Sequence, residues 1–273
     1  MLRALGIEHA LLSSGVESVL VVQPQDALRA TNELAAYAQE TAAAAPPQLP
    51  TPARASTGAG AMAYAVVLVA FFFAQHGQWA GLDWTAAGRT EADLITDGAW
   101  WRCFTALFLH GDLAHLAGNL VFGLAFGMFV CQLLGNGVGW LMILLGGALG
   151  NASNAFVQLA EHRSLGASTA VFAALGILVS CSFRQAHTER RSRILRWAPL
   201  AAGLALFGLI GVEGENTDVL AHVGGMFWGG LIGLALAGRA RLGPSPRPVQ
   251  LLAGAATFTL LVLAWLAAFA AQP

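Results

Sequence analysis

Four polar side chains sit in stretches of this sequence that are otherwise apolar: His115 and Asn119 within residues 113–134, Ser168 at the head of 166–183, and His222 within 219–237. A serine hydroxyl is a weak nucleophile until a neighbouring base accepts its proton, and histidine is the side chain suited to that task near neutral pH. Ser168 and His222 can form that pair. Attack on a carbonyl creates an oxyanion that needs fixed hydrogen-bond donors. The Asn119 amide, the His115 ring N–H and the Ser168 backbone N–H can supply them, because His115 and Asn119, four apart, share one helical face and Ser168 opens a helix whose first N–H groups are unpaired. No Asp or Glu lies within these three stretches to orient His222. The residues therefore specify a dyad rather than a triad.

Each assignment has a plainer competitor. Serine in a membrane helix usually packs as a small residue or bonds its own backbone, which is the reading for Ser153, Ser180 and Ser182. His110 sits just ahead of the 113–134 stretch and reads as a structural residue holding a loop. Gly225 and Gly229 form a small-xxx-small pair whose ordinary role is close helix packing. A metalloprotease reading fails for lack of HExxH, and His110 and His115 placed on one helix would diverge by ~140°. No metal and no cofactor are expected.

The elements that must position these side chains are membrane helices. Of 273 residues, 56% are hydrophobic and 11% charged, against about a quarter charged in soluble domains, so the solvent is lipid. The net charge of −1 offers nothing to a nucleic acid. Cys103, Cys131 and Cys181 show no CxxC spacing, which excludes a disulfide framework or metal cluster. Runs of about 20 apolar residues, the length that spans a bilayer, predict seven spans: 62–75 extended backward by small residues, 113–134, 138–159, 166–183, 197–212, 219–237 and 249–271. The fifth is the weakest.

Basic loops stay in the cytoplasm. Arg184, Arg190, Arg191, Arg193 and Arg196 follow the fourth span, and Arg239, Arg241 and Arg247 follow the sixth. Asp83, Glu91, Asp93 and Asp97 follow the first, and Glu213, Glu215 and Asp218 follow the fifth, so these loops face outward. The N-terminus is then inside and the C-terminus outside. Asp112, Arg163 and Asp218 mark the outer entries of the second, fourth and sixth spans, and at about 1.5 Å rise per residue the four polar groups lie only ~5–8 Å deeper. One outward-opening pocket follows if the three helices are neighbours. Ahead of the spans, a strand over 16–22, a helix over 25–41 and an Ala/Pro-rich linker over 42–52 predict a short cytoplasmic βα segment. No cleaved signal peptide is apparent in the first 56 residues.

In order and spacing, Trp101-Arg102, then His110 with His115 and Asn119, then Gly166-Ala167-Ser168, then Ala221-His222 with Gly225 and Gly229 resemble the signature of rhomboid intramembrane serine proteases. The likeness spans about residues 101–238. It implies an all-α bundle of six core helices, here with a seventh C-terminal helix, that cleaves membrane-anchored substrates near the outer face without a cofactor. It further implies Ser168 as nucleophile, His222 as its base, His115 and Asn119 as oxyanion ligands, and Arg102 as a structural residue of the first loop. Three departures stand out: Thr169 where the family has Gly after the catalytic Ser, Phe172 where many members have Tyr able to stack on the His, and Cys131-Gln132 where a Glu is common.

The expectation is an intramembrane endopeptidase of transmembrane segments, with 1–56 a cytoplasmic extension, 57–240 the catalytic core and 241–273 an added helix, in a bacterial inner membrane. The partners expected are transmembrane substrates and the lipid bilayer, with no nucleic acid. The competing classes are an inactive rhomboid-like binder of membrane clients, which the presence of both Ser168 and His222 disfavours, and a transporter, which the apolar midplane disfavours.

Overall fold

A computed structural model describes residues 2–14, 17–43, 58–188, 193–210, 218–237 and 244–272. Arg190, Arg191, Arg239, Arg241, Glu213 and Glu215 of the charged loops, and most of the Ala/Pro-rich linker, lie outside these residues. The chain divides into two compact units, residues 1–52 and 53–273.

In the first unit, β1 (His9–Ser14) pairs antiparallel with β2 (Glu17–Val22), and α1 (Ala27–Ala43) follows. Leu2, Ile7 and Ala30 are buried against Leu5, Leu20 and Val22. The sequence reading finds β2 and α1 but not β1. The β1 segment His-Ala-Leu-Leu-Ser-Ser has no β-branched residue and no alternation, so its strand state comes from pairing with β2 rather than from local preference.

The second unit is a membrane bundle: α2 (Ala59–His76), α6 (Leu113–Leu134), α7 (Asn136–Val157), α8 (Ser168–Thr188), α9 (Arg193–Ile210), α10 (Val219–Ala237) and α11 (Arg247–Ala270). Between α2 and α6 runs a long loop with α3 (Trp84–Gly88), β3 (Thr90–Glu91), α4 (Ala92–Thr96) and α5 (Arg102–Thr105). Six of the seven long helices are long and apolar enough to cross a bilayer, whereas the apolar part of α9 is the shorter stretch Trp197–Leu209. The chain is an integral, multi-pass, all-α membrane protein.

α8 is the central helix, with 61% of its span buried against 22–50% for the others. Small residues explain how its neighbours approach. A β-carbon added at Gly225 or Gly229 of α10 would overlap the backbone carbonyl of Thr169 or Ala173 in α8. α7 packs against the same pair of helices: β-carbons at its Gly147 and Gly150 would lie 2.8 Å from Ala170 Cβ and 2.7 Å from Thr169 Cγ2, and Gly150 also abuts Gly225 of α10. Such backbone-to-backbone contact is what small residues permit in lipid, where no hydrophobic force drives helices together.

The loops at the Ser168 end are tied by charge. β3 pairs with β4 (Arg163–Ser164), and Glu91 in β3 receives Arg89 at 3.2 Å, Arg102 at 3.3 Å and Arg163 at 3.1 Å. Arg102, itself buried, also donates to the Arg89 carbonyl at 2.8 Å. At the opposite end Gln250 of α11 joins α6 to α7: its amide donates to the Leu134 carbonyl at 2.7 Å and its carbonyl accepts from Val138 N–H at 3.1 Å.

Candidate active site

α8 begins at Ser168 and α10 carries His222 one turn from its start, so the glycine seam between the two helices sets the distance between their side chains. His222 Nε2 lies 2.8 Å from Ser168 Oγ, a hydrogen bond between side chains 54 residues apart. The Phe172 ring, one turn after Ser168, lies over the imidazole with centroids 4.5 Å apart and planes inclined by 33°. Phe207 of α9 packs edge-on against Phe172 at 5.1 Å. The imidazole is thus held between its hydroxyl partner and an aromatic face, which leaves it little freedom to turn away.

The dyad opens into a cavity of about 760 Å³ whose lining includes His115, Asn119, Ser168 and His222. Asn119 is 6% exposed and its amide nitrogen has no hydrogen-bond partner. An unpaired buried donor is costly, and the residue that carries it is part of the cavity wall. Its own backbone carbonyl is held by the Tyr64 hydroxyl at 2.9 Å. His115 is set by the start of α6, where the Asp112 carboxylate caps the helix by accepting from the His115 N–H at 2.8 Å. His115 and Ser168 converge above Gly166, whose φ of +137° is a conformation that favours glycine. A β-carbon there would stand 2.6 Å from His115 Nε2 and 3.6 Å from Ser168 Oγ, so glycine is required twice over.

His110 is fully buried behind the same turn, its Nε2 accepting from the Ala167 N–H at 3.5 Å. Burial first, and then the neighbouring His115, bring its imidazole down to about 4 from the ordinary 6.5, so at neutral pH it is an uncharged acceptor. The His110 and His115 rings meet edge-on at 5.2 Å. The ~140° divergence applies only to two residues of one continuous helix; as the sequence reading has it, His110 stands ahead of the cap at Asp112 and only His115 lies in α6. No group of three metal-binding side chains gathers among the described residues.

Three features of the site escaped the sequence reading. Asp218 caps α10 by accepting from the Ala221 N–H at 3.1 Å, and its other oxygen receives Asn154 of α7 at 2.7 Å and His162 at 2.8 Å. Burial raises its carboxyl, but the bonds from His162, Ala221 and Ser164 outweigh this and leave it below the ordinary value. Glu91, as the hub for three arginines, is the second. The third is the destination of Thr169: it is 3% exposed and its methyl packs toward Gly150 and Gly225. Each includes a partner 50 or more residues away, for which no local pattern exists.

A family model described as the Rhomboid domain matches residues 97–239. The chain is 32% identical over 162 residues to the protein named Rhomboid protease GluP of Bacillus subtilis, covering 58% of this chain and 30% of that protein. It is 30% identical over 155 residues to Rhomboid-like protease 2 of Toxoplasma gondii, covering 55% and 52%. Against RHOMBOID-like protein 9, chloroplastic, of Arabidopsis thaliana the identity is 37% over 89 residues, covering 33% and 20%. The chain spans about half or less of the length of these relatives.

Proposed function

We propose that this chain, which belongs to the rhomboid family, is a serine endopeptidase that cleaves transmembrane or juxtamembrane segments through a Ser168/His222 dyad. The observation that carries this reading is the 2.8 Å contact between Ser168 Oγ and His222 Nε2. In the first step Ser168 Oγ attacks the scissile carbonyl carbon as its proton passes to His222 Nε2. The oxyanion is received by the Asn119 amide, with His115 and the Ser168 backbone N–H as further donors. Collapse breaks the C–N bond, His222 returns the proton to the departing amine, and an acyl-enzyme remains on Ser168 Oγ. Water then attacks the ester with His222 as base, releasing the acid and restoring the serine.

A peptide bond inside an intact helix is shielded by its own hydrogen bonds, so the substrates are segments that unwind where they meet the cavity, through Gly, Pro or small residues. The cavity faces outward, the N-terminus lies in the cytoplasm and the membrane is a bacterial inner membrane. Residues 57–240 form the catalytic core, with 1–56 a cytoplasmic extension and 241–273 an accessory helix.

The test is cleavage of a reporter with a helix-destabilised transmembrane segment by purified wild type and Ser168→Ala. Cleavage by wild type alone supports the dyad. No cleavage by wild type over several reporters, with Thr169→Gly also silent, favours a client-binding protein instead.

A further inference from the structure

A second cavity, of about 600 Å³, lies between α2, α7 and α11 and is lined almost wholly by carbon. Along α11 its walls run from Gln250 to Leu261, which at about 1.5 Å per residue is ~16 Å, close to half of the ~30 Å hydrocarbon core. That is the depth one lipid chain occupies in one leaflet. The cavity borders the bilayer directly, since Leu251 and Phe258 among its walls are 64% and 69% exposed.

Its two ends differ chemically. At one end stand Asn136 and Trp140, four apart on one face of α7, and Asn136 Oδ1 and Trp140 Nε1 are both buried without a hydrogen-bond partner. Both atoms face the position where Gly60 has no side chain. A buried polar group left unpaired is costly, and here an acceptor and a donor are unpaired side by side. Arg247, three residues before Gln250 and therefore on its side of α11, adds an exposed positive charge at this end. Toward the other end the walls are Leu68, Leu107, Ala167 and Ala170, with no polar side chain among them.

We infer that this cavity is a binding site for one glycerophospholipid. An acyl chain fills the carbon-lined length, Trp140 N–H donates to an ester or phosphate oxygen, Asn136 Oδ1 accepts from a headgroup hydroxyl or ammonium, and Arg247 faces the phosphate. The site is separate from the Ser168 cavity, although its apolar end reaches Ala167, the residue before Ser168. It stands whether or not the chain hydrolyses peptides.

Gly254 gives a clean probe, because it lines the cavity and a β-carbon there meets nothing within 4 Å. Gly254→Leu therefore starts its side chain in open space on the cavity wall, and an unchanged melting temperature checks that the fold accepts it. The second variant joins Asn136→Ala to Trp140→Phe, which keeps a ring against Tyr64, now stacked on Trp140 at 5.0 Å. Each protein is placed in phosphatidylcholine vesicles holding a small fraction of phosphatidylglycerol with a photoactivatable diazirine in mid-chain, and adducts are mapped by mass spectrometry. In wild type the adducts concentrate on 136–144 and 250–261. Gly254→Leu loses them and the double variant loses most, while adducts at exposed Phe227 and Leu231 stay constant in both. A diacylglycerol probe with the same chain labels the site less than the phospholipid does. Labelling of 136–144 no stronger than at Phe227, or unchanged in Gly254→Leu, overturns the site; equal labelling by the two probes overturns the role given to phosphate.

Discussion

The α8/α10 seam and the α2/α7/α11 flank are built from the same apolar alphabet and behave oppositely. Along the seam, Gly225 and Gly229 bring α10 against the backbone carbonyls of Thr169 and Ala173, with no space for a β-carbon. Along the flank, α2, α7 and α11 leave about 600 Å³ of space whose walls include Tyr64, Trp140 and Phe258. Side chains projecting from helices in backbone contact have their separation fixed, because the interface cannot yield without overlap. Ser168 and His222 project from the first kind of interface. A foreign chain can enter only the second kind.

The two regions can be driven apart by substitution. The largest effect is expected for His222→Ala: peptide cleavage falls by on the order of 10⁴-fold or to background, while the melting temperature in detergent stays close to wild type. Next is Asn119→Ala, which removes one oxyanion donor and lowers kcat by roughly 10²- to 10³-fold. Because that donor is unpaired in the free protein, stability does not fall with it. Gly229→Ala then tests the seam alone. Its single methyl group must be accommodated against the Ala173 carbonyl, at a cost of about 1–3 kcal/mol and a drop in both melting temperature and activity. The much larger Gly254→Leu on the flank leaves the melting temperature unchanged.

A further effect, on stability alone, concerns pH. His110 is buried with its imidazole brought down to about 4, so the unfolded chain takes up its proton first as the solution is acidified. Its contribution to stability is complete above the ordinary value near 6.5 and is lost as pH falls toward about 4, by up to roughly 3 kcal/mol. Asp218, whose folded carboxyl lies below the ordinary value, adds in the same direction at lower pH, losing its contribution as pH falls through that folded value. Melting temperatures between pH ~7.5 and ~4.5 read this slope, and His110→Gln flattens its upper part.

Much of this molecule was legible from local pattern. The spans at 113–134 and 219–237 coincide with α6 and α10, because a run of apolar residues ended by Asp112, Gly135 and Asp218 carries its own boundaries. The convergence of His115, Asn119, Ser168 and His222 on one cavity is a depth relation that helical rise and loop charge express in one dimension. What was not legible depends on the third. The β3–β4 pair, the Arg163–Glu91 ion pair and the Asp218–His162 bond join residues 56 to 74 positions apart. β1 is a strand only because β2 lies beside it.

The central claim is that His222 makes Ser168 nucleophilic. It is tested most directly by treating the purified protein with a fluorophosphonate and locating the adduct by mass spectrometry, in wild type, Ser168→Ala and His222→Ala. One adduct is expected in wild type, on Ser168, absent from both variants while each remains folded. Labelling of another serine, or undiminished labelling of Ser168 in His222→Ala, would contradict it.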